Sequence, residues 1–232
     1  MAELMDQALL LRRIPYSETS LICHFLTPAH GRVTLMARGA RGAKSPFRAT
    51  LAPLYRLHIR WRPGRSGMGT LLDAGRAGML VDEAYMLDGL QLLAIASQLF
   101  QEGDPHGFSE LSDAMTLLAS RHQDEGLCAA FWLLLDRAGL LGDLLHCWQC
   151  GEAVADAALM AWKGAQLICS DCGEGGAVSP GMRKGIAGVM RQGNVRLSAR
   201  DLQHWRMMIG QVMREHGMKL PEGFRQLSPQ PK

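Results

Sequence analysis

The chain has 232 residues, of which 47% are hydrophobic and 20% charged, with a formal net charge of +3. This composition is typical of a globular protein of one or two domains and excludes a disordered or fibrous protein. No apolar run approaches the ~18 residues that cross a bilayer, and the first residues lack the pattern of a secretory signal. We therefore expect a cytoplasmic protein.

The small net charge conceals a strong partition along the chain. Residues 1–80 carry 12 basic and 4 acidic groups, a net charge of +8, whereas residues 81–145 carry 2 and 11, a net charge of −9. Residues 146–232 carry 11 basic and 7 acidic groups. Such asymmetry indicates modules with different partners. The basic block is a candidate surface for a polyanion, although a charge cluster is often only a solvated surface.

Short apolar or alternating segments separated by turn residues predict five β-strands in the basic block. The segments are 8–11, 21–27, 32–37, 54–62 and 68–74. Five short strands favour a closed barrel, because an open sheet would leave exposed edges. The sequence therefore predicts an α+β protein in which residues 1–80 form a five-stranded barrel of the oligonucleotide-binding (OB) type.

Cations are concentrated in three parts of this block. Alternation along Tyr55–Arg62 places one set of side chains outside the barrel, and these form a row of cations: Arg56, His58, Arg60 and Arg62. Arg65 follows in the next turn, and a glycine-rich segment adds Arg38, Arg41, Lys44 and Arg48. Lys and Arg spread over a groove bind a phosphate backbone by releasing counterions. The alternative is that the row only protects a strand edge or pairs with acids.

Apolar residues at helical spacing predict helices in the rest of the chain. The first runs from Asp82, which can cap it, to about Gln101, and two more cover Phe108–Leu118 and Leu127–Leu135. Two others begin after serines that can act as N-caps, Ser179 and Ser198. We predict a helical domain over 81–227, with a disordered tail at 228–232.

Two CxxC pairs, each followed by glycine, predict a metal site. Cys147 and Cys150 are separated by 18 residues from Cys169 and Cys172, a spacing typical of a four-cysteine zinc site. Four thiolates leave no position for water, so the single Zn²⁺ is expected to be structural. The intervening residues predict a hairpin and hence a zinc ribbon over about 146–175. A redox dithiol is the competing interpretation, and His146 is a candidate replacement ligand.

Several stretches in one order carry a resemblance to a known family. They are residues 10–20, 25–33, 37–41, Ala84 with Tyr85, Phe131 with Leu134 and Leu135, and both CxxC pairs. Glu18-Thr-Ser, Thr27-Pro-Ala-His-Gly-Arg and Ala37-Arg-Gly-Ala-Arg are the specific parts. On these residues the chain resembles the RecO family of bacterial recombination mediators, over about residues 8–173.

The resemblance implies an OB-type barrel, a helical domain with a zinc ribbon, and a nucleoid-associated protein of DNA repair. It implies binding to single- and double-stranded DNA, annealing of complementary strands, contact with the C-terminal tail of single-stranded-DNA-binding protein, and cooperation with RecR in loading RecA. Arg38, Arg41 and Lys44 match the family's basic loop. Charge geometry adds further candidate DNA contacts: Arg12, Arg13, Arg32, Arg48, Arg56, Arg60, Arg62 and Arg65.

Two other classes of function remain open from the sequence. The chain can be an assembly adaptor in which the barrel and helices bind proteins and the basic face is incidental. It can also be an enzyme, such as a nuclease or zinc hydrolase. The sequence contains no HExxH, Walker A or G-x-S-x-G pattern, so a non-enzymatic DNA-binding mediator is the favoured interpretation.

Overall fold

The computed structural model describes residues 2–65, 67–142 and 144–225. The chain divides into two compact units, residues 1–119 and 120–232. In the part of the chain that is described, no helix has the length and apolar character to span a membrane. The domain boundary placed after residue 80 stays a prediction, and the predicted tail at 228–232 lies outside the described residues.

Five strands form a closed barrel in the first unit, in the order β1-β2-β3-β5-β4. They are β1 (Leu4–Pro15), β2 (Leu21–Thr27), β3 (Gly31–Ala37), β4 (Tyr55–Arg62) and β5 (Gly69–Met79). All neighbours are antiparallel except β3 and β5, which pair in parallel at Leu35 and Gly69. A Cβ on Gly69 would lie 2.7 Å from the carbonyl oxygen of Arg62, so only glycine allows this closure. The predicted barrel is confirmed.

The barrel core follows from alternation along the strands. In β4, Leu57, Ile59 and Trp61 are buried while the residues between them are exposed, and they pack with Phe25 and Leu35 from β2 and β3. Because a slip of one residue would reverse every side chain, this core fixes the register of the strands. The cations at the alternate positions therefore lie outside the core.

Helices complete the first unit. A short helix, α1 (Pro46–Thr50), connects β3 to β4, and a 3₁₀ turn at Glu83–Tyr85 precedes α2 (Met86–Leu99) and α3 (Phe108–Ala119). The sequence predicted one helix capped by Asp82. In the structure the Asp82 side chain makes no cap hydrogen bond, because the 3₁₀ turn separates it from α2.

Over its described residues, the second unit contains four helices and a small sheet. They are α4 (Gln123–Arg137), β6 (Met160–Lys163), β7 (Gln166–Cys169), β8 (Gly176–Val178), α5 (Pro180–Met190), α6 (Ala199–Glu215) and α7 (Glu222–Arg225). The Ser179 and Ser198 hydroxyls accept hydrogen bonds from the backbone N–H groups of Met182 and Asp201, as their cap positions predict.

A cluster of tryptophans joins the sheet of the second unit to its helices. The ring of Trp132 on α4 lies 6.1 Å from that of Trp162 on β6 and 5.9 Å from that of Trp205 on α6. The buried Arg183 of α5 adds polar contacts, because its guanidinium donates to the carbonyl oxygens of Ala155 and Ala158 at 3.0 and 2.9 Å. Lys184 of the same helix forms an ion pair with Asp156 at 3.1 Å, so two neighbouring side chains of α5 contact the ribbon.

Candidate nucleic-acid surface and metal centre

The segment between β3 and α1, with the start of α1, carries four exposed cations. We call residues 38–48 the basic loop, and its cations are Arg38, Arg41, Lys44 and Arg48. Backbone hydrogen bonds hold the loop. The N–H of Arg41 donates to the carbonyl oxygen of Thr19 at 2.9 Å, and the N–H of Ser45 donates to the carbonyl oxygen of Gly42 at 3.0 Å. The glycine-rich segment therefore has a defined backbone from which the cationic side chains project.

A concave hollow lies beside the basic loop. It has a volume of about 410 Å³ and is lined by Arg13, Pro15, Leu21, Ala40, Arg41, Phe47 and Arg48. We call this feature the arginine hollow. It combines three guanidinium groups with apolar side chains, and this combination suits a ligand that has both negative charge and a flat apolar face.

Two of the three guanidinium groups in the hollow are held in place. Arg13 donates to the carbonyl oxygen of Leu51 at 2.6 Å, and Arg41 donates to the carbonyl oxygen of Ser17. Each guanidinium has five N–H donors, so these bonds leave donors for a ligand. Arg48 has no side-chain hydrogen bond or ion pair to any described residue, so its charge is available to an anion.

The arginines of β4, unlike Arg48, are bonded to other side chains. Arg60 and Arg62 both donate to the carboxylate of Glu3 at 2.9 Å. The hydrogen bonds from Arg60 and Arg62 hold the pKa of Glu3 below its usual value. Arg56 donates to the amide oxygen of Gln7 at 3.4 Å and lies over a phenylalanine ring of α3. The row is therefore partly neutralised, which is the alternative that the sequence left open.

The remaining candidate cations also differ in their surroundings. Arg32 donates to the carbonyl oxygens of Ser97 and Phe100 at 3.0 and 2.8 Å. These groups lie at the C-terminal end of α2, where carbonyls lack helical partners, so Arg32 caps this helix. Arg12 and Arg65 are exposed and have no side-chain partner among the described residues. The assignment of all eleven cations to DNA remains a prediction.

Sequence reasoning missed the aromatic side chains near the basic loop. Phe47 lines the arginine hollow, and Tyr16, in the turn between β1 and β2, is 61% exposed. An aromatic residue flanked by cations, as in Pro46-Phe47-Arg48, is a signal that could have identified Phe47, because stacking and phosphate contacts occur together in single-strand binding.

The four cysteines of the CxxC pairs meet in the second unit. The sulfur atoms of Cys147, Cys150, Cys169 and Cys172 all lie within 4.8 Å of one another. The Cys150 and Cys169 sulfurs are 3.9 Å apart, which is too long for a disulfide and close to the ~3.8 Å edge of a tetrahedron with ~2.3 Å Zn–S bonds. Among the described residues the cluster contains these four cysteines without His146. The donor set fits a metal ion.

Backbone donors shape the two cysteine turns. The N–H of Gly151 donates to the Cys147 carbonyl at 2.9 Å, and its φ of +76° is readily available only to glycine. The N–H of Cys169 donates to the Cys147 sulfur at 3.3 Å. Backbone hydrogen bonds from Cys150 and then Cys169 lower the pKa of the Cys147 thiol to about 6, so this sulfur readily becomes the thiolate that binds metal.

Comparison with known proteins gives one family. The family model described as Recombination protein O N terminal matches residues 1–76, which include most of the barrel. The DNA repair protein RecO of Proteus mirabilis is 36% identical over 157 residues, which are 65% of this chain and 63% of that protein.

Two further relatives give similar matches over longer stretches. The DNA repair protein RecO of Vibrio cholerae is 32% identical over 67% of this chain and 66% of that protein. The protein of the same name from Actinobacillus succinogenes is 31% identical over 67% of each chain. The match therefore spans just under two thirds of the Proteus and Vibrio proteins and two thirds of the Actinobacillus protein.

Proposed function

We propose that this chain, which belongs to the RecO family of DNA repair proteins, binds DNA through the basic loop and brings complementary strands together. The observation that carries the proposal is the set of cations whose side chains have no partner among the described residues, three of which lie in the basic loop: Arg38, Lys44 and Arg48. Cations already paired with carboxylates gain little from a phosphate, whereas unpaired cations displace the counterions that are condensed on the DNA.

Electrostatics also supplies a mechanism for annealing. Two complementary strands repel each other through their phosphates, and this repulsion slows their encounter. A protein that neutralises both strands lowers the barrier without making or breaking a covalent bond. We therefore propose a non-enzymatic mediator that binds both single- and double-stranded DNA. Both forms present phosphates, and a phosphate contact does not depend on the base sequence.

The partners of the mediator follow from the family resemblance. We propose that the chain acts with RecR to load RecA on DNA covered by single-stranded-DNA-binding protein, and that it contacts the C-terminal tail of that protein. Its place of action is then the cytoplasm, at the nucleoid. These partners remain proposals, whereas the membership in the family does not.

We propose that the four cysteines hold one Zn²⁺ with a structural role. Cys147, Cys150, Cys169 and Cys172 would fill a tetrahedral shell, so the ion would supply cross-linking of the ribbon and no open coordination position. The ribbon would then serve as a folded module of the second unit, separate from the cations of the barrel.

Annealing of two complementary labelled oligonucleotides tests the proposed function. The strands are first covered with single-stranded-DNA-binding protein, and the rate is measured across a salt series with and without this chain. The proposal predicts acceleration that needs no nucleotide and decreases as salt rises, because screening weakens phosphate contacts. A folded protein that gives no acceleration would contradict the proposal and favour the adaptor.

Two charge variants locate the site: one removes the unpaired cations of the basic loop, and the other is its control on β4. In Arg38→Gln/Lys44→Gln/Arg48→Gln, three exposed side chains outside the barrel core lose their charge but keep polar groups. We expect this variant to anneal slowly, whereas Arg60→Gln/Arg62→Gln should anneal nearly as fast as the parent protein because those cations pair with Glu3. Equal rates for the parent and the first variant would exclude the basic loop as the site.

A further inference from the structure

We infer that the arginine hollow binds one unpaired nucleotide of a single DNA strand, with its base against Phe47 and its phosphates on the surrounding arginines. This inference rests on the proposed DNA binding and adds to it a site for a base. The hollow of about 410 Å³ lies within the size range of small-ligand pockets, which suits one nucleotide.

The apolar part of the hollow suits a base. Leu21 and Phe47 are half-buried and pack against the barrel core, while Ala40 is buried beside them. The core therefore holds the Phe47 ring in place, and little side-chain freedom remains to be lost when a base stacks on it. Aromatic rings stack on all four bases, so this contact requires no particular sequence.

The polar part of the hollow suits phosphate. Arg13 is held by the Leu51 carbonyl and Arg41 by the Ser17 carbonyl, while the Arg48 side chain has no partner among the described residues. Two prepositioned guanidinium groups and one unpaired group can contact the phosphates on either side of a bound base. Among the described residues that line the hollow there is no carboxylate, so nothing in its wall competes for these cations.

A base site of this kind distinguishes single strands from duplexes. In a duplex each base is paired and stacked, so a base can enter the hollow only after it is unstacked, at a substantial cost in free energy. A single strand presents unpaired bases without that cost. When two strands anneal, the base leaves the hollow to pair, and the duplex remains bound by phosphate contacts alone. The hollow thus favours the substrate of annealing over its product.

Three DNA ligands of equal length test the inference on the parent protein. They are an oligothymidine strand, a strand with abasic nucleotides at the same positions, and a duplex, and the affinities are measured by fluorescence anisotropy at one salt concentration. We expect the abasic strand to bind roughly tenfold more weakly than oligothymidine, the loss typical of one stacked base. Equal affinities for oligothymidine and the abasic strand would overturn the base site.

Two matched variants locate the effect. Phe47→Leu keeps an apolar side chain against the core but removes the ring, and Phe108→Leu makes the same change at a half-buried position of α3. We expect Phe47→Leu to weaken oligothymidine binding to the abasic level and to leave abasic and duplex binding unchanged. Phe108→Leu should change none of the three.

The failure of the base site and the failure of the proposed function give different results. If Phe47→Leu weakens all three ligands equally, or none, the base site is overturned while electrostatic DNA binding stands. If the folded parent protein binds none of the ligands, the proposed function is overturned together with the base site. Circular dichroism of each variant confirms that the comparison is made on folded protein.

Discussion

The barrel and the ribbon use their functional side chains in opposite ways. The barrel closes five strands around a core of apolar residues such as Phe25 and Leu57, and the cations of the basic loop lie outside that core. The ribbon has three strands of only four, four and three residues. Its four cysteines are Cys147 and Cys150 before the first strand, Cys169 at the end of the second, and Cys172 just after it. We therefore expect the barrel to stay folded without the charges of the basic loop, and the ribbon to unfold without its cysteines.

The difference follows from the size of the two structures. Three strands this short bury little apolar surface of their own, so we expect the ribbon to depend on its packing against the helices and on a metal cross-link. A closed barrel has no free edges and buries one face of every strand. Changes in the two regions should therefore separate stability from DNA affinity.

Removal of the metal should have the largest effect. Chelation or Cys150→Ser should unfold the ribbon, because structural zinc contributes on the order of 10 kcal/mol of apparent binding free energy at neutral pH. Metal analysis should find about one zinc per chain in the parent protein. Ser170→Ala, an exposed position in the second cysteine turn, is the control. Unchanged thermal stability after complete chelation would contradict the structural role of the metal.

Loss of Arg183 should destabilise the second unit by a smaller amount. Arg183→Leu leaves the carbonyl oxygens of Ala155 and Ala158 without their buried donor, so the free energy of unfolding should fall by about 3 kcal/mol. Urea denaturation followed by circular dichroism measures the loss. Arg191→Leu, at an exposed position just after the same helix, should change stability little. Equal losses in the two variants would show that the buried contacts of Arg183 contribute nothing.

The basic-loop variant should change affinity without changing stability. Arg38→Gln/Lys44→Gln/Arg48→Gln should weaken single-strand binding roughly a hundredfold at 0.1 M salt. Each phosphate contact releases ~0.7 counterions from a single strand, and this variant loses three contacts. The melting temperature should stay close to that of the parent protein, because all three residues are exposed. A large drop in melting temperature would contradict the separation between core and functional charge in the barrel.

The β4 cations should have the smallest effect. Arg60→Gln/Arg62→Gln should change DNA affinity by less than about threefold, because both guanidinium groups are already bonded to Glu3 and exposed ion pairs contribute little. Glu3→Gln should free both cations and strengthen binding slightly. Filter binding at low salt measures both changes, and weaker binding by Glu3→Gln would show that the pair itself serves DNA binding.

The parts of the fold that were predicted from the sequence depend on local patterns. The alternation in Tyr55–Arg62, the cap serines Ser179 and Ser198, and the spacing of the two CxxC pairs each specify structure within a few residues. The structure places the strands and helices where these patterns indicate, and it brings the four cysteines together.

The parts that were not predicted depend on contacts between distant residues. Strand β8, the parallel closure between β3 and β5, and the capping of α2 by Arg32 have no local signature. The pairing of Arg60 with Glu3 joins residues 57 positions apart, so the charge count of the barrel could not show which cations are free. Sequence gives the number of charges, and the fold decides which of them remain available.

The salt dependence of single-strand binding tests the central claim most directly. If six cations, those of the basic loop with Arg12 and Arg13, contact one strand, the plot of log K against log salt concentration should have a slope of about −4. The slope should become shallower by about 2 in Arg38→Gln/Lys44→Gln/Arg48→Gln and should not change in Arg60→Gln/Arg62→Gln. Parallel lines for the parent protein and the basic-loop variant would contradict the account.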